Sequence, residues 1–85
     1  MAAPPLDFPC DYPVKVMGRQ TPEFRARMHE VFARHSGYAA GSVSERPSRD
    51  GTFLALTCTL RVADRGTLEA LYQELHATGL VLFAL

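Results

Sequence analysis

Two stretches of the chain alternate apolar and polar side chains at a period of two, and two others repeat apolar side chains every three and four residues. From Asp11 to Gly18, Tyr12, Val14 and Val16 fall on one side and Pro13, Lys15 and Met17 on the other, which is the pattern of a β-strand. Thr52 to Ala63 is a longer version. Leu54, Leu56, Cys58, Leu60 and Val62 face one way and Phe53, Ala55, Thr57, Thr59 and Arg61 the other, so one face is core and the other half-polar. Between these strands Phe24, Met28, Val31, Phe32 and His35 form one helical stripe, and after them Leu68, Leu71, Tyr72 and Leu75 form a second.

Local signals bound these segments. Thr21-Pro22-Glu23 starts the first helix: the Thr21 hydroxyl caps it, Pro22 fits the first helical position, and Glu23 meets the positive end of the dipole. Gly37 is its expected stop. Asp64 caps the second helix and Gly79 is placed to end it in a left-handed conformation. Ser42 to Arg46 reads as a polar edge strand closed by Pro47, and Ser48-Arg49-Asp50-Gly51 as the tight turn into the long strand. Leu80 to Leu85, apolar on both faces, reads as the last strand.

The resulting order, strand-helix-strand-strand-helix-strand, predicts an α+β, ferredoxin-like βαββαβ sandwich: a four-stranded antiparallel sheet with two helices on one face. The first and third strands are central. The periods predict a core of Val14, Val16, Leu54, Leu56, Leu60, Leu68, Leu71 and Leu75. Residues 1–9, rich in Pro and Ala, read as a flexible tail, and residues 10–85 as the single domain that 85 residues can support.

Composition narrows the function. Nine basic and nine acidic residues give zero net charge, so no long-range field gathers phosphate backbones or anionic lipid, and nucleic acid is disfavoured. Two cysteines without a CxxC pair fit a reducing compartment better than a disulfide scaffold. Residues 1–8 lack the features of a secretory signal, and the longest apolar run is far short of the ~20 residues of a membrane span. The expectation is a cytoplasmic protein.

Phe8-Pro9 followed by Tyr12-Pro13-Val14-Lys15-Val16-Met17-Gly18, with Ser48-x-x-Gly51, Thr57 and Leu71-Tyr72-x-x-Leu75 downstream, resembles the YbeD-like family of small bacterial proteins, a domain of unknown function. That resemblance covers nearly the whole chain after residue 6 and implies a fold similar to the ACT regulatory domains of amino-acid enzymes, with no activity attached. In ACT domains an Asp-x-Pro-Gly type sequence leads from the first strand into the first helix. Here the matching stretch is Gln20-Thr21-Pro22-Glu23, which replaces the acid and the glycine and weighs against amino-acid binding there.

Four constellations carry candidate chemistry. The loop Gly18, Arg19, Gln20 and Thr21 presents helix N-terminal N–H groups beside an arginine, a generic cradle for a small anionic ligand. With Phe24-Arg25 it also faintly resembles the phosphate loop of acylphosphatases, but those enzymes orient water with an asparagine and this chain contains none. Of the imidazoles His29, His35 and His76, the first two are six residues apart on a helix, about 240° round its axis, and cannot share a metal. The outer sheet face (Lys15, Met17, Phe53, Thr57, Thr59, Arg61), with Leu82 on the unprotected last strand, is the candidate interaction surface. RNA-recognition sheets carry about two or three aromatics in that place, and Phe53 alone stands on the central strands here.

These patterns predict a non-enzymatic, ACT-like regulatory or protein-interaction module with no catalytic residue, metal or cofactor. Its expected partners are a second copy of the chain or another protein, with a small anionic ligand as effector. Single-stranded nucleic-acid binding through the open sheet face is the alternative.

Overall fold

A computed structural model describes residues 8–84. Over them the chain runs β1 (Cys10–Arg19), α1 (Pro22–Ala33), β2 (Ser44–Pro47), β3 (Phe53–Val62), α2 (Arg65–Ala77) and β4 (Phe83–Ala84). The strands form one antiparallel sheet in the order β2-β3-β1-β4, so the two strongly alternating strands are central, as their patterns require. This is the expected ferredoxin-like arrangement.

The register explains why one face becomes core. Val14 pairs with Cys58 and Val16 with Leu56, which sets the apolar rows of β1 and β3 side by side under the stripe Phe24, Met28, Val31 and Phe32 of α1 and Leu71 and Leu75 of α2. All of these are buried, and no polar side chain is buried among the described residues. Among the residues expected in the core, Leu68 departs from full burial. It stands in the first turn of α2 and packs half-buried against the cluster.

The helix starts are those expected. Thr21 Oγ1 accepts from the Phe24 N–H at 3.0 Å, and the Asp64 carboxylate accepts from the Thr67 N–H at 2.7 Å and its hydroxyl at 2.9 Å. Gly79 takes a φ of +73°, the left-handed conformation that lets the chain leave α2 without a Cβ clash.

Three boundaries differ from the sequence pattern. Helix α1 ends at Ala33, short of Gly37, so His35 lies beyond the helix. The segment after it is tied to the sheet instead, the Arg61 N–H donating to the Ser36 carbonyl at 2.7 Å. Strand β2 starts at Ser44 after a short 3-10 turn at Ala40–Ser42. The sequence pattern places the last strand over Leu80 to Leu85, but among the described residues Phe83 and Ala84 alone pair with β1. Leu80 and Val81 are spent packing against the core, and Leu82 reaches β1 through a single N–H bond to the Met17 carbonyl at 2.8 Å. The expected tail falls largely on residues 1–7 which, with Leu85, lie outside the described residues.

Candidate interaction face

Both helices lie on one side of the sheet, so the opposite side carries the outward rows of four strands. The pairing sets one line across the sheet, Arg46 of β2, Ala55 of β3, Met17 of β1 and Phe83 of β4, and beside it a second line of Ser44, Thr57 and Lys15. Arg19 pairs with Phe53 at the end of the central strands, its guanidinium lying 5.9 Å from the ring centroid.

Ala55 has no helix above it and is nevertheless buried, because every neighbour in the rows around it is larger. It floors a depression of about 240 Å³ walled by Met17, Phe53 and Pro47, with Lys15 and Arg46 at the rim. The strand pattern and the Ser48–Asp50 turn hold these walls. The Phe53 N–H donates to Ser48 Oγ at 2.9 Å, and the Asp50 carboxylate accepts from Ser48 Oγ at 2.9 Å and from the Thr52 N–H at 3.0 Å. The last two bonds hold the Asp50 carboxyl below its ordinary range.

Charge is distributed unevenly between the two sides. On the outward strand rows Lys15, Arg19, Arg46 and Arg61 stand against one acid, Asp11. Arg61 reaches Asp11 at 3.4 Å, whereas Lys15, Arg19 and Arg46 have no acidic partner among the described residues. On the helix side acids and bases neutralise one another, Arg25 pairing with Glu45 through two bonds of 2.9 Å, Arg27 with Glu30 at 3.6 Å and Arg34 with Glu74 at 3.7 Å. The neutral chain therefore presents a positive sheet face.

The loop nominated for a small anion is occupied by its own structure. The Gln20 N–H donates to the Thr52 carbonyl and the Thr21 N–H to the Arg19 carbonyl, each at 2.9 Å. The Phe24 N–H goes to the Thr21 hydroxyl. Gly18 is packed, since a Cβ built there would lie 2.4 Å from the Phe24 ring and 2.6 Å from the Leu80 carbonyl oxygen. The Arg19 guanidinium turns away to Phe53. Of the four, Arg19 and Thr21 line one cavity, while the N–H groups of Gln20 and Thr21 are taken by the Thr52 and Arg19 carbonyls.

Leu82 also departs from the nominated face. It borders that same cavity, of about 220 Å³, with Arg19, Thr21, Glu23, Phe24, Gly79 and Leu80, and Phe83 takes the outward position beside Met17. These two are the exposed large apolar residues of the described chain, at 61% and 54%. Lys15, Met17, Phe53 and Thr57 are brought together as expected, while Thr59 and Arg61 lie at the far end of the face beside Pro13 and Asp11. Sequence reasoning missed Arg46 and Phe83, whose places depend on the pairing of edge strands.

The remaining candidate chemistry is held in structural contacts. His29 Nδ1 is 2.8 Å from the Tyr38 hydroxyl, and His35 Nε2 is 2.6 Å from Glu74 Oε2. No group of three or more potential ligands able to hold a metal is present among the described residues. Burial pushes the Cys58 thiol up, away from the thiolate a nucleophile needs. Burial and the hydroxyl of Tyr12, 3.5 Å away, raise Tyr72 likewise. No described helix is long and apolar enough to cross a membrane.

Residues 3–85 match the family described as "Protein of unknown function (DUF493)". A UPF0250 protein of Bordetella pertussis is 42% identical over 77 residues, covering 89% of this chain and 85% of its own length. UPF0250 proteins of Paraburkholderia phymatum and Nitrosomonas europaea are 39% and 33% identical, covering 89% and 84% of this chain and 86% and 83% of their own lengths. The solution structure of protein HP0495 from H. pylori superposes with a TM-score of 0.69 over 98% of this chain and 88% of that one, at 13% identity, a likeness of fold. The resemblance carried by Lys15-Val16-Met17-Gly18 and Ser48-x-x-Gly51 is thus a true kinship, and the chain belongs to the DUF493 (UPF0250, YbeD-like) family of small bacterial proteins with a ferredoxin-like fold.

Proposed function

We propose that this chain is a non-enzymatic interaction module, regulatory in the manner of ACT domains, that docks a protein partner through its outer sheet face. The observation that carries this reading is the line Arg46, Ala55, Met17 and Phe83, an uncovered row of apolar side chains ending in an unpaired cation. Uncovered apolar groups beside open strand edges are what partner surfaces bury. His29 and His35 are held by Tyr38 and Glu74 and Cys58 is buried in the core, which supports a role without chemistry. A small anionic effector at Gly18 to Thr21 is the weaker part of the reading, because the loop's own carbonyl and hydroxyl acceptors take its N–H groups. Single-stranded nucleic acid is the second reading, favoured by Phe53 lying among Lys15, Arg19 and Arg46.

The test places a photo-crosslinking p-benzoylphenylalanine at Phe83 on the sheet face, or at Glu69 on the exposed side of α2, in the native cell. A protein adduct from position 83 and none from 69 is the expected result. Adducts from 69 alone, or from neither, refute the sheet face as the working surface.

A further inference from the structure

We propose that the partner docks with an acidic segment that seats an apolar side chain over Ala55 and places carboxylates against Lys15 and Arg46. This rests on the sheet face being the docking surface and adds the chemistry of what it accepts.

Charge complementarity is the first argument. Lys15, Arg19 and Arg46 stand on the outward strand rows, Lys15 and Arg46 on one depression, and none has an acidic partner among the described residues, although the chain as a whole is neutral. Elsewhere on the molecule Arg25, Arg27, Arg34 and Arg61 each reach an acid within 4.0 Å, while Arg49 and Arg65, which stand apart in the turn before β3 and at the start of α2, reach none among the described residues. Three neighbouring cations left open repel one another, and a partner carrying carboxylates removes that repulsion while gaining steering and register.

Shape is the second. The depression is lined by Met17, Pro47 and Phe53 around an alanine that is only 6% exposed, together with Lys15, Arg46 and Ser48, so an inserted apolar side chain finds carbon partners next to two cations. An apolar anchor inside a charged rim is the usual division of labour at an interface.

The other occupants fit less well. A second copy approaching by the same face brings only Asp11, which already faces Arg61. A copy offering its helix side, where Glu30, Glu45 and Glu74 already pair with arginines, makes a heterologous contact that leaves one face open at each step. Single-stranded nucleic acid carries a charge at every nucleotide and is bound along a basic track with repeated stacking. Here Lys15 and Arg46 flank one depression, and the rest of the face runs through Thr57 and Thr59 to the Asp11–Arg61 pair.

The experiment uses the full chain with p-benzoylphenylalanine at position 83 and adds Lys15→Glu or Arg46→Glu, with Arg46→Lys and Thr59→Glu as comparisons. Both charge reversals are expected to lower the protein adduct by about tenfold or more, while Arg46→Lys and Thr59→Glu retain it. The captured peptide, read by mass spectrometry, is expected to carry acidic residues around an apolar one. Thermal melting within about 3 °C of the unsubstituted chain shows that the reversals leave the fold intact, as exposed substitutions do. An adduct indifferent to both reversals overturns the acidic-segment inference and leaves the docking face standing. So does an adduct to nucleic acid or to a second copy of this chain. Absence of any adduct from position 83 removes the docking face itself.

Discussion

Replacing Gly18 by alanine separates a packing glycine from a ligand-approach glycine. Gly18 continues the inward row of Val14 and Val16 in β1, and the Phe24 ring from the first turn of α1 lies directly over it. An added Cβ would stand 2.4 Å from one ring carbon, 2.6 Å from another and 2.6 Å from the Leu80 carbonyl oxygen. The ring is itself packed in the core at 1% exposure, and the carbonyl is backbone and moves only with the segment that joins Gly79 to β4. Overpacking of this kind costs ~1–3 kcal/mol. Because one of the contacts under 3.0 Å is to backbone, the cost falls in the upper half of that range, ~2–3 kcal/mol; against it, alanine reduces the freedom of the unfolded chain by ~0.4–1 kcal/mol, leaving a net loss of about 1–2.6 kcal/mol. At this chain length that lowers Tm by about 4–21 °C. Urea denaturation read by far-UV circular dichroism measures it. Gly41→Ala, where no atom lies within 4 Å of the added Cβ, is the comparison, expected to be neutral or to gain up to ~1 kcal/mol. A Gly18→Ala loss below about 0.5 kcal/mol, within the range of bland surface changes, refutes the packing argument and reopens Gly18 as the place where a ligand meets the backbone.

Leu56→Ala removes a side chain with 0% exposure at the centre of the cluster and is expected to cost ~2–5 kcal/mol in the same assay, a loss under about half a kilocalorie meaning that the strand register is wrong. At α2, the Asp64 carboxyl is held below its ordinary value of 3.8 chiefly by the Thr67 N–H. Its contribution to stability is therefore complete above pH 3.8 and drains away as pH falls through the lower folded value. Asp64→Asn, which still caps, should keep stability at neutral pH and flatten the acid limb of the unfolding curve, and an unchanged acid limb would show that the cap does not titrate with folding. The buried Cys58 thiol, raised by desolvation, should react with iodoacetamide near neutral pH only as fast as the chain unfolds. Labelling of Cys58 that outpaces unfolding would place it nearer solvent than the core row allows.

The elements of this fold are legible in the chain because the signals that specify them are local. Period two from Asp11 to Gly18 and from Thr52 to Ala63, the stripes Phe24-Met28-Val31-Phe32 and Leu71-Leu75, and the caps Thr21 and Asp64 each act within a few residues, so they can be read without knowing what lies opposite. Parity alone separated the outward Lys15, Met17, Phe53 and Thr57 from the core. The last strand was misjudged for the same reason. An apolar run such as Leu80 to Leu85 says that burial is wanted but not against what, and here the tertiary structure uses Leu80 and Val81 to close the core and leaves Phe83 and Ala84 to pair. Net charge was similarly blind: zero is a sum over the chain, whereas the field a partner meets depends on which side of the sheet each charge occupies. Arg46 joined Lys15 and Ala55 joined Met17 only when β2 and β1 were docked on either side of β3. Pairing register is a long-range choice made by the packing of whole rows, since sliding one strand by a single residue would turn every side chain to the other face. The chain's own order of residues therefore determined the elements and their inward sides, and the docking of those elements decided which outward side chains became neighbours.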